Sequence, residues 1–365
     1  MASVTSPPVL KEQGIKALSE VLMQNTYSNP DLASVFNIKT GIKGQTQIGI
    51  LSKIQTGLSG YNRTACDVTA DTSTYTGSSK TWVPKYVSSR NTTCWDTFSG
   101  TFFQWGFNNG LKREDLTDTD WATFMSEVLP HEIMETIQRI AWFNDTAAVA
   151  GTNNHISAGN LKYFTVIDGL WKQLYAIVAA DANRLTVNAT VQTRNAAASF
   201  ALQAFTAADV TNKVATALLD SMYYGADLTL RTRPKSELAF YVTQTVADQY
   251  EKELKANATI PLSYTRIETG VDVLMSNGIK VIPINFWDRM ITGYFAKAAS
   301  NVASFLPHRA LLTSASDNLL IGTEDTTQLT SFDMFYDKPT KANIVDYGIF
   351  MDAKVGLDLG VQLGY

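Results

Sequence analysis

Cysteine is scarce in this chain, with only Cys66 and Cys94 in 365 residues. Two thiols are too few for a disulfide scaffold or a four-thiolate zinc site. Both fall in one segment rich in strand formers, which leaves two readings: a pair of reduced thiols, or a cross-strand bridge formed after release into an oxidising medium. Histidine is nearly as rare, and His131, His155 and His308 lie far apart without a nucleophile elbow to complete a Ser-His-Asp triad. His131-Glu132 begins as a zinc-protease motif does. The second imidazole would have to follow one turn on, and Glu135 stands there. A solvated helix face is the better reading. There is no phosphate-binding P-loop, no GxGxxG and no calcium-loop spacing of acidic residues.

Long apolar runs are also missing. None approaches the ~18–20 residues that a membrane helix needs, and Met1 to Leu10 shows neither the basic nor the apolar region of a signal peptide. The expectation is a chain made and folded in the cytoplasm. The five Asn-x-Ser/Thr matches, at Asn62, Asn91, Asn144, Asn188 and Asn257, then reflect composition alone. With a net charge of −4 and no basic run, the chain lacks the footprint of bulk nucleic-acid binding. Arg231 and Arg233 beside Pro234 form one small basic spot, read as a solvated loop or a contact to a neighbour.

What the chain does contain is a folded core. A hydrophobic content of 45% over 365 residues suffices for two or three modules. Ile15, Leu18, Val21 and Leu22 predict a short amphipathic helix in an arm that starts after Pro7-Pro8. Such an arm must lie on the body of the protein or on a neighbour. From Gly44 to about Thr97, Thr, Ser, Gly and Tyr dominate. The runs Gln47–Leu51 and Trp82–Val87 flank a polar tip at Thr69–Lys80, which predicts a long two-stranded ribbon.

Asp118 to Asn144 gives the strongest helical signal. Trp121, Phe124, Met125, Val128 and Leu129 form one stripe, and Ile133, Met134, Ile137, Ile140 and Ala141 a second beyond Pro130. Two helices or one kinked helix are expected. Phe164–Ile167 reads as a strand and Leu170–Ala180 as a helix, with Tyr163, Phe164 and Trp171 in the core. A further helix is expected over Thr206–Tyr224, capped by Thr206 and Asp209. At the carboxyl end Val355, Leu357, Leu359, Val361 and Leu363 alternate with smaller or polar residues. That predicts one half-buried strand with Asn343–Phe350 as its hairpin partner.

The most informative stretch is Glu237–Met290. Leu238–Val242 reads as a strand, followed by a helix capped at Thr245 with Val246, Tyr250 and Leu254 on one side. Val271–Met275 and Ile279–Ile284 flank Asn277-Gly278, the strongest short-range hairpin signal, since both residues tolerate the positive φ of a type I′ turn. The segments LAFYVTQTVADQYEKEL (Leu238–Leu254), TGVDVLMSNGIKVIPINFWDRM (Thr269–Met290) and HRALLTSASDNLLIGTED (His308–Asp325) resemble, in that order, the axial-domain core of tailed-bacteriophage major capsid proteins. The resemblance covers roughly the last two-thirds of the chain.

That resemblance implies an α+β, HK97-type fold: an N-terminal arm (residues 1–44), an extended β-ribbon loop (45–97), a discontinuous peripheral domain with a long spine helix (98–180 and 319–365) and an axial domain (181–318). It implies a structural subunit, not an enzyme, that assembles as hexamers and pentamers into an icosahedral head around double-stranded DNA, without sequence-specific DNA binding. A separate scaffold protein is implied because the chain reaches the arm at once after Met1. A portal and a decoration protein complete the implied partners, and no cofactor, metal or membrane is called for. Tyr61, Tyr75, Lys80, Trp82, Lys85, Arg90, Arg231 and Arg233 are the candidates for contacts between subunits. An encapsulin-like nanocompartment shell is the alternative with the same fold. A hydrolase with an unrecognised site is the alternative from another class.

Overall fold

A computed structural model describes residues 12–27, 30–54, 75–112, 116, 118–150, 156–197, 200–256, 264–266, 272–295, 307–315, 317–327 and 329–365. Among these, fourteen strands form three sheets. The strands are β1 (Asn37–Lys39), β2 (Thr46–Ile54), β3 (Tyr75–Trp82), β4 (Lys85–Cys94), β5 (Leu185–Thr186), β6 (Leu238–Val242), β7 (Tyr264–Arg266), β8 (Asp272–Ser276), β9 (Ile279–Pro283), β10 (Ala310–Ser314), β11 (Leu319–Thr323), β12 (Ser331–Asp337), β13 (Ala342–Val355) and β14 (Val361–Gly364).

The seven-stranded sheet has the order β5-β14-β10-β6-β9-β8-β7. Its central strands are apolar without alternation because both faces are covered. Every residue of β6 and β10 is buried. Phe240, Val242 and Leu312 face one cluster with Val214, Leu218, Val246 and Tyr250 from two helices, Val214–Gly225 and Gln244–Ala256. Ala239, Tyr241 and Leu311 face the main core on the other side. Between the two helices, buried Glu253 accepts hydrogen bonds from the amides of Ala215 (2.9 Å) and Thr216 (2.8 Å). Those are donors that a first helical turn leaves open.

The Asn277-Gly278 turn is as expected. Asn277 has φ 55° and Gly278 φ 77°, and Ser276 pairs with Ile279 across it. Strand β6 coincides with Leu238–Val242. The helix after it starts one residue earlier than the sequence suggests. Thr243 occupies the cap position, and Thr245 lies inside the first turn, where its hydroxyl donates to the Pro307 carbonyl (3.0 Å).

In the five-stranded sheet the long strand β13 pairs with β4 on one side and with β11 and β12 on the other, and β1 joins β11 in parallel. Strand β4 lies in the stretch read as ribbon, yet it belongs to this sheet. The helix Asp118–Phe143 runs 26 residues with Pro130 inside it, one helix rather than two. Trp121, Phe124, Met125, Leu129, Ile133, Ile137 and Ile140 are buried. Val128, predicted in the stripe, is 41% exposed. The amino-terminal helix Glu12–Tyr27 buries Leu18, Leu22 and Met23 in the main core, so it lies on its own body.

Several other expectations give way. No strand forms over Phe164–Ile167. The Phe164 carbonyl accepts from the Asp145 amide (2.7 Å), so that stretch is held by the end of the long helix and not by a sheet edge. Tyr163 is 39% exposed, its ring covered by Arg139 and Lys162. The Thr206–Tyr224 segment keeps its capping box but splits into Ala207–Thr211 and Val214–Gly225 at Lys213, whose φ is 54°. The carboxyl-terminal alternation is not one strand. Strand β13 ends at Val355, a 3-10 turn occupies Asp358–Gly360, and β14 joins the other sheet beside β10. Asn343–Phe350 is part of β13 itself.

Candidate assembly surfaces

The ribbon is a two-stranded sheet. Thr46 pairs with Trp82 and Ile54 with Tyr75, with a register shift between Leu51 and Lys53. No third strand joins it among the described residues. Thr76–Lys80, expected at the polar tip, form strand β3. The rest of that tip, Thr69–Thr74, lies outside the described residues, as do Tyr61, Cys66 and His155. Tyr75 opens β3 opposite Ile54, and Cys94 ends β4 opposite Ala342.

The root of the ribbon is fastened to the body. Lys80 Nζ donates to Asp358 Oδ1 (2.5 Å) and to the Val355 carbonyl (2.7 Å). Trp82 is 3% exposed and packs with Ile42 and Leu320 of its own chain. Its expected role as a contact to a neighbour is therefore replaced by one inside the subunit. The Val83 amide donates to Asp352 Oδ2 (2.8 Å), a carboxyl that burial pushes up.

The outer face of the five-stranded sheet is open. Gly348 leaves room there for the Tyr86 ring, since a Cβ would lie 2.2 Å from the phenol oxygen. Tyr86 meets Ser331 Oγ (2.5 Å), and its ring centroid lies 5.3 Å from that of Phe350. Arg90 donates through Nε to Asp346 Oδ1 (2.7 Å) and through Nη2 to Oδ2 (2.5 Å). The bonds from Arg90 hold the Asp346 carboxyl below its ordinary range. These side chains border a trough of about 440 Å³ together with Phe332 and Asp333. Tyr86 and Phe335 are 45% and 40% exposed. Lys85 is exposed at the start of β4.

The other sheet face is closed. Tyr347 is buried and donates to Glu132 Oε1 (3.0 Å), and Asn91 bonds the same oxygen. Burial first, and the Glu132 charge second, push the Tyr347 phenol up to about 12. Glu132 thus ties the long helix to the sheet, while His131 is exposed as expected.

Arg231 and Arg233 do not share a role. The Arg231 guanidinium lies over the Tyr223 and Tyr224 rings, at 5.9 and 5.8 Å. Arg233 donates to Ser314 Oγ (2.9 Å) and Asp317 Oδ2 (3.1 Å), so it serves its own chain. Among the described residues no group of three His, Cys, Asp or Glu side chains could hold a metal ion. No described helix is long and apolar enough to cross a membrane.

His308 and Arg309 escaped sequence reasoning as sites of buried polarity. His308 Nε2 donates to the Gln203 carbonyl (2.7 Å), and Nδ1 faces Thr245 Oγ1 (2.9 Å). Burial lowers its pKa to about 4. The Arg309 guanidinium is buried 4.7 Å from the Trp171 ring centroid. No motif announces either, because the partners come from distant elements.

No protein-family profile matches the chain, and no curated protein sequence does. Solved structures do. The satellite phage P4 procapsid, determined with its size-determination protein, superposes over 94% of this chain and 95% of that one, with a TM-score of 0.54 and 9% identity. The capsid of cyanophage P-SCSP1u covers 91% and 86% (TM-score 0.45, 11% identity), and the SrpI encapsulin complex of Synechococcus elongatus 90% and 84% (0.41, 10%). The P4 superposition shows the fold of a phage capsid protein. The chain therefore has the α+β, HK97-like fold that its resemblance implied.

Proposed function

We propose that this chain is the major shell subunit of a tailed-phage head, a structural protein and not an enzyme. The observation that carries the reading is the ribbon. A two-stranded sheet is marginal alone in water, yet here β2 and β3 stand together with Thr46 and Gln47 exposed and their outer edges open among the described residues. A neighbouring copy supplies the missing support. The open face around Tyr86, Arg90 and Phe335 is where an adjacent ribbon lies, with Lys85 beside it; Arg231, over the rings of Tyr223 and Tyr224 at the helix Val214–Gly225, contributes a separate contact to a neighbour.

In this reading residues 1–44 are the arm, 45–97 the extended loop, 98–180 and 319–365 the peripheral domain and 181–318 the axial domain. Copies form hexamers and pentamers in the host cytoplasm on a separate scaffold. A portal and a decoration protein join the shell, and double-stranded DNA is enclosed without sequence-specific contacts. Contacts of about 25 cal/mol per Å² of buried apolar surface, repeated over many identical subunits, close the shell.

Shortening the ribbon tests this. Joining Ile54 to Tyr75 through Asn-Gly should leave the circular dichroism of the subunit unchanged and reduce particle yield at least tenfold. Normal particle yield would remove the ribbon's role in assembly. Nuclease-protected double-stranded DNA inside particles is expected; an enclosed enzyme without DNA would favour a nanocompartment.

A further inference from the structure

The two large sheets are joined by two chain crossings that lie side by side. Strand β10 of the seven-stranded sheet continues into β11 of the five-stranded sheet, and β13 of the five-stranded sheet returns into β14 of the seven-stranded one. Asn318 belongs to the first crossing and is 6% exposed. Its side chain reads the second. Oδ1 accepts from the Leu357 amide (2.6 Å), while Nδ2 donates to the carbonyls of Leu357 (3.1 Å) and Gly360 (3.0 Å). Its own carbonyl accepts from the Gly356 amide (2.8 Å).

Both glycines favour this close approach. A Cβ at Gly356 would stand 2.9 Å from Asn318 Oδ1, and one at Gly360 3.0 Å from Nδ2. Thr313, at the end of β10, adds a hydroxyl bond to the Gly360 carbonyl (2.7 Å). The two crossings are thus one pinned joint. The ribbon lands on the same joint: the Val355 carbonyl and the Asp358 carboxylate that receive Lys80 flank Gly356 and Leu357, two of the three residues Asn318 holds.

We infer that Lys80 couples the ribbon to this inter-sheet joint, so that the set of the ribbon follows the relative placement of the two sheets. Lys80 is then a positioning residue and Asn318 the pin of the joint. A shift of one sheet against the other must move the second crossing, and the Lys80 bonds pass that movement to β3. The inference concerns the single chain and holds independently of what the chain assembles into.

Amide hydrogen exchange on the purified full-length chain tests it. Lys80→Met removes two bonds at a partly exposed site, so exchange in Thr46–Ile54 and Tyr75–Trp82 should quicken about two- to fivefold. The Gly356 and Leu357 amides should quicken with them. Asn318→Ala should quicken Gly356 and Leu357 about tenfold or more, and the ribbon amides should follow although Asn318 does not touch the ribbon. In both variants the amides of β6 should keep their wild-type rates. Ribbon rates unchanged in Asn318→Ala, or a quickened ribbon with unchanged Gly356 and Leu357 in Lys80→Met, would overturn the coupling. If Asn318→Ala does not fold, Thr313→Val replaces it, since it removes the hydroxyl bond to the Gly360 carbonyl without involving the ribbon, and the same joint response of ribbon and crossing decides the matter.

Discussion

The indole of Trp82 lies against the backbone of Gly322, so close that a Cβ at position 322 would stand 2.8 Å from two ring carbons. This contact seats the last residue of the ribbon on β11, in a small core with Ile42 and Leu320. Gly322→Ala should therefore cost about 1–3 kcal/mol, because the added methyl meets a buried, rigid indole and not the free end of a flexible side chain. Trp82→Ala should cost about 3–5 kcal/mol through the cavity it leaves. Urea denaturation measures both. A Gly322→Ala protein as stable as wild type would mean that Trp82 has another place to go.

The hairpin at Asn277-Gly278 offers a second test. Gly278 has φ 77°, where a β-branched residue is strained. Gly278→Val should destabilise by about 1–3 kcal/mol and give temperature-sensitive, poorly soluble protein. Lys280 is exposed on β9, so Lys280→Arg should behave as wild type. Equal thermal unfolding of the valine variant and wild type would contradict the turn.

His308 makes stability depend on pH in a defined window. Its folded pKa is lowered to about 4 from 6.5, chiefly by burial, with Arg194 pushing the same way and the Gln203 carbonyl and Asp209 opposing. The unfolded chain therefore takes up the proton first. The contribution is fully present above about pH 6.5 and is lost as pH falls from there toward 4, and the loss should reach about 2 kcal/mol by pH 5. His308→Gln, compared with wild type by urea unfolding at pH 7.5 and pH 5, should lose that part of the pH dependence. Identical pH dependence in the two proteins would show that His308 is protonated in the fold.

Much of the seven-stranded sheet was legible in the sequence because its signals are local. Leu238–Val242 is apolar on both faces, and Asn-Gly dictates a turn by backbone conformation alone. The errors fall where distant partners decide. Alternation from Val355 to Leu363 reads the same whether the chain stays in one sheet or crosses to another, and the crossing is set by the approach of Asn318, far upstream in sequence, to Gly356 and Gly360. Lys213 adopts φ 54° with neither glycine nor asparagine to announce the break. Trp82 looked like surface because its segment is polar, yet Ile42, Leu320 and the bare Gly322 make a seat for it. Lys80 and Arg90 are contact candidates in the ribbon segment, and their partners Asp358 and Asp346 come from the far end of the chain, which no local signal reveals.

If this chain is a shell subunit, many copies of it close around DNA. Electron microscopy of the sedimented fraction from cells producing the chain, alone and together with a candidate scaffold protein, decides this. Closed particles tiled by hexameric and pentameric rings are expected, with the chain as their principal protein. A chain that stays in the supernatant as single copies under those conditions, with no rings or shells at its highest soluble concentration, would contradict it.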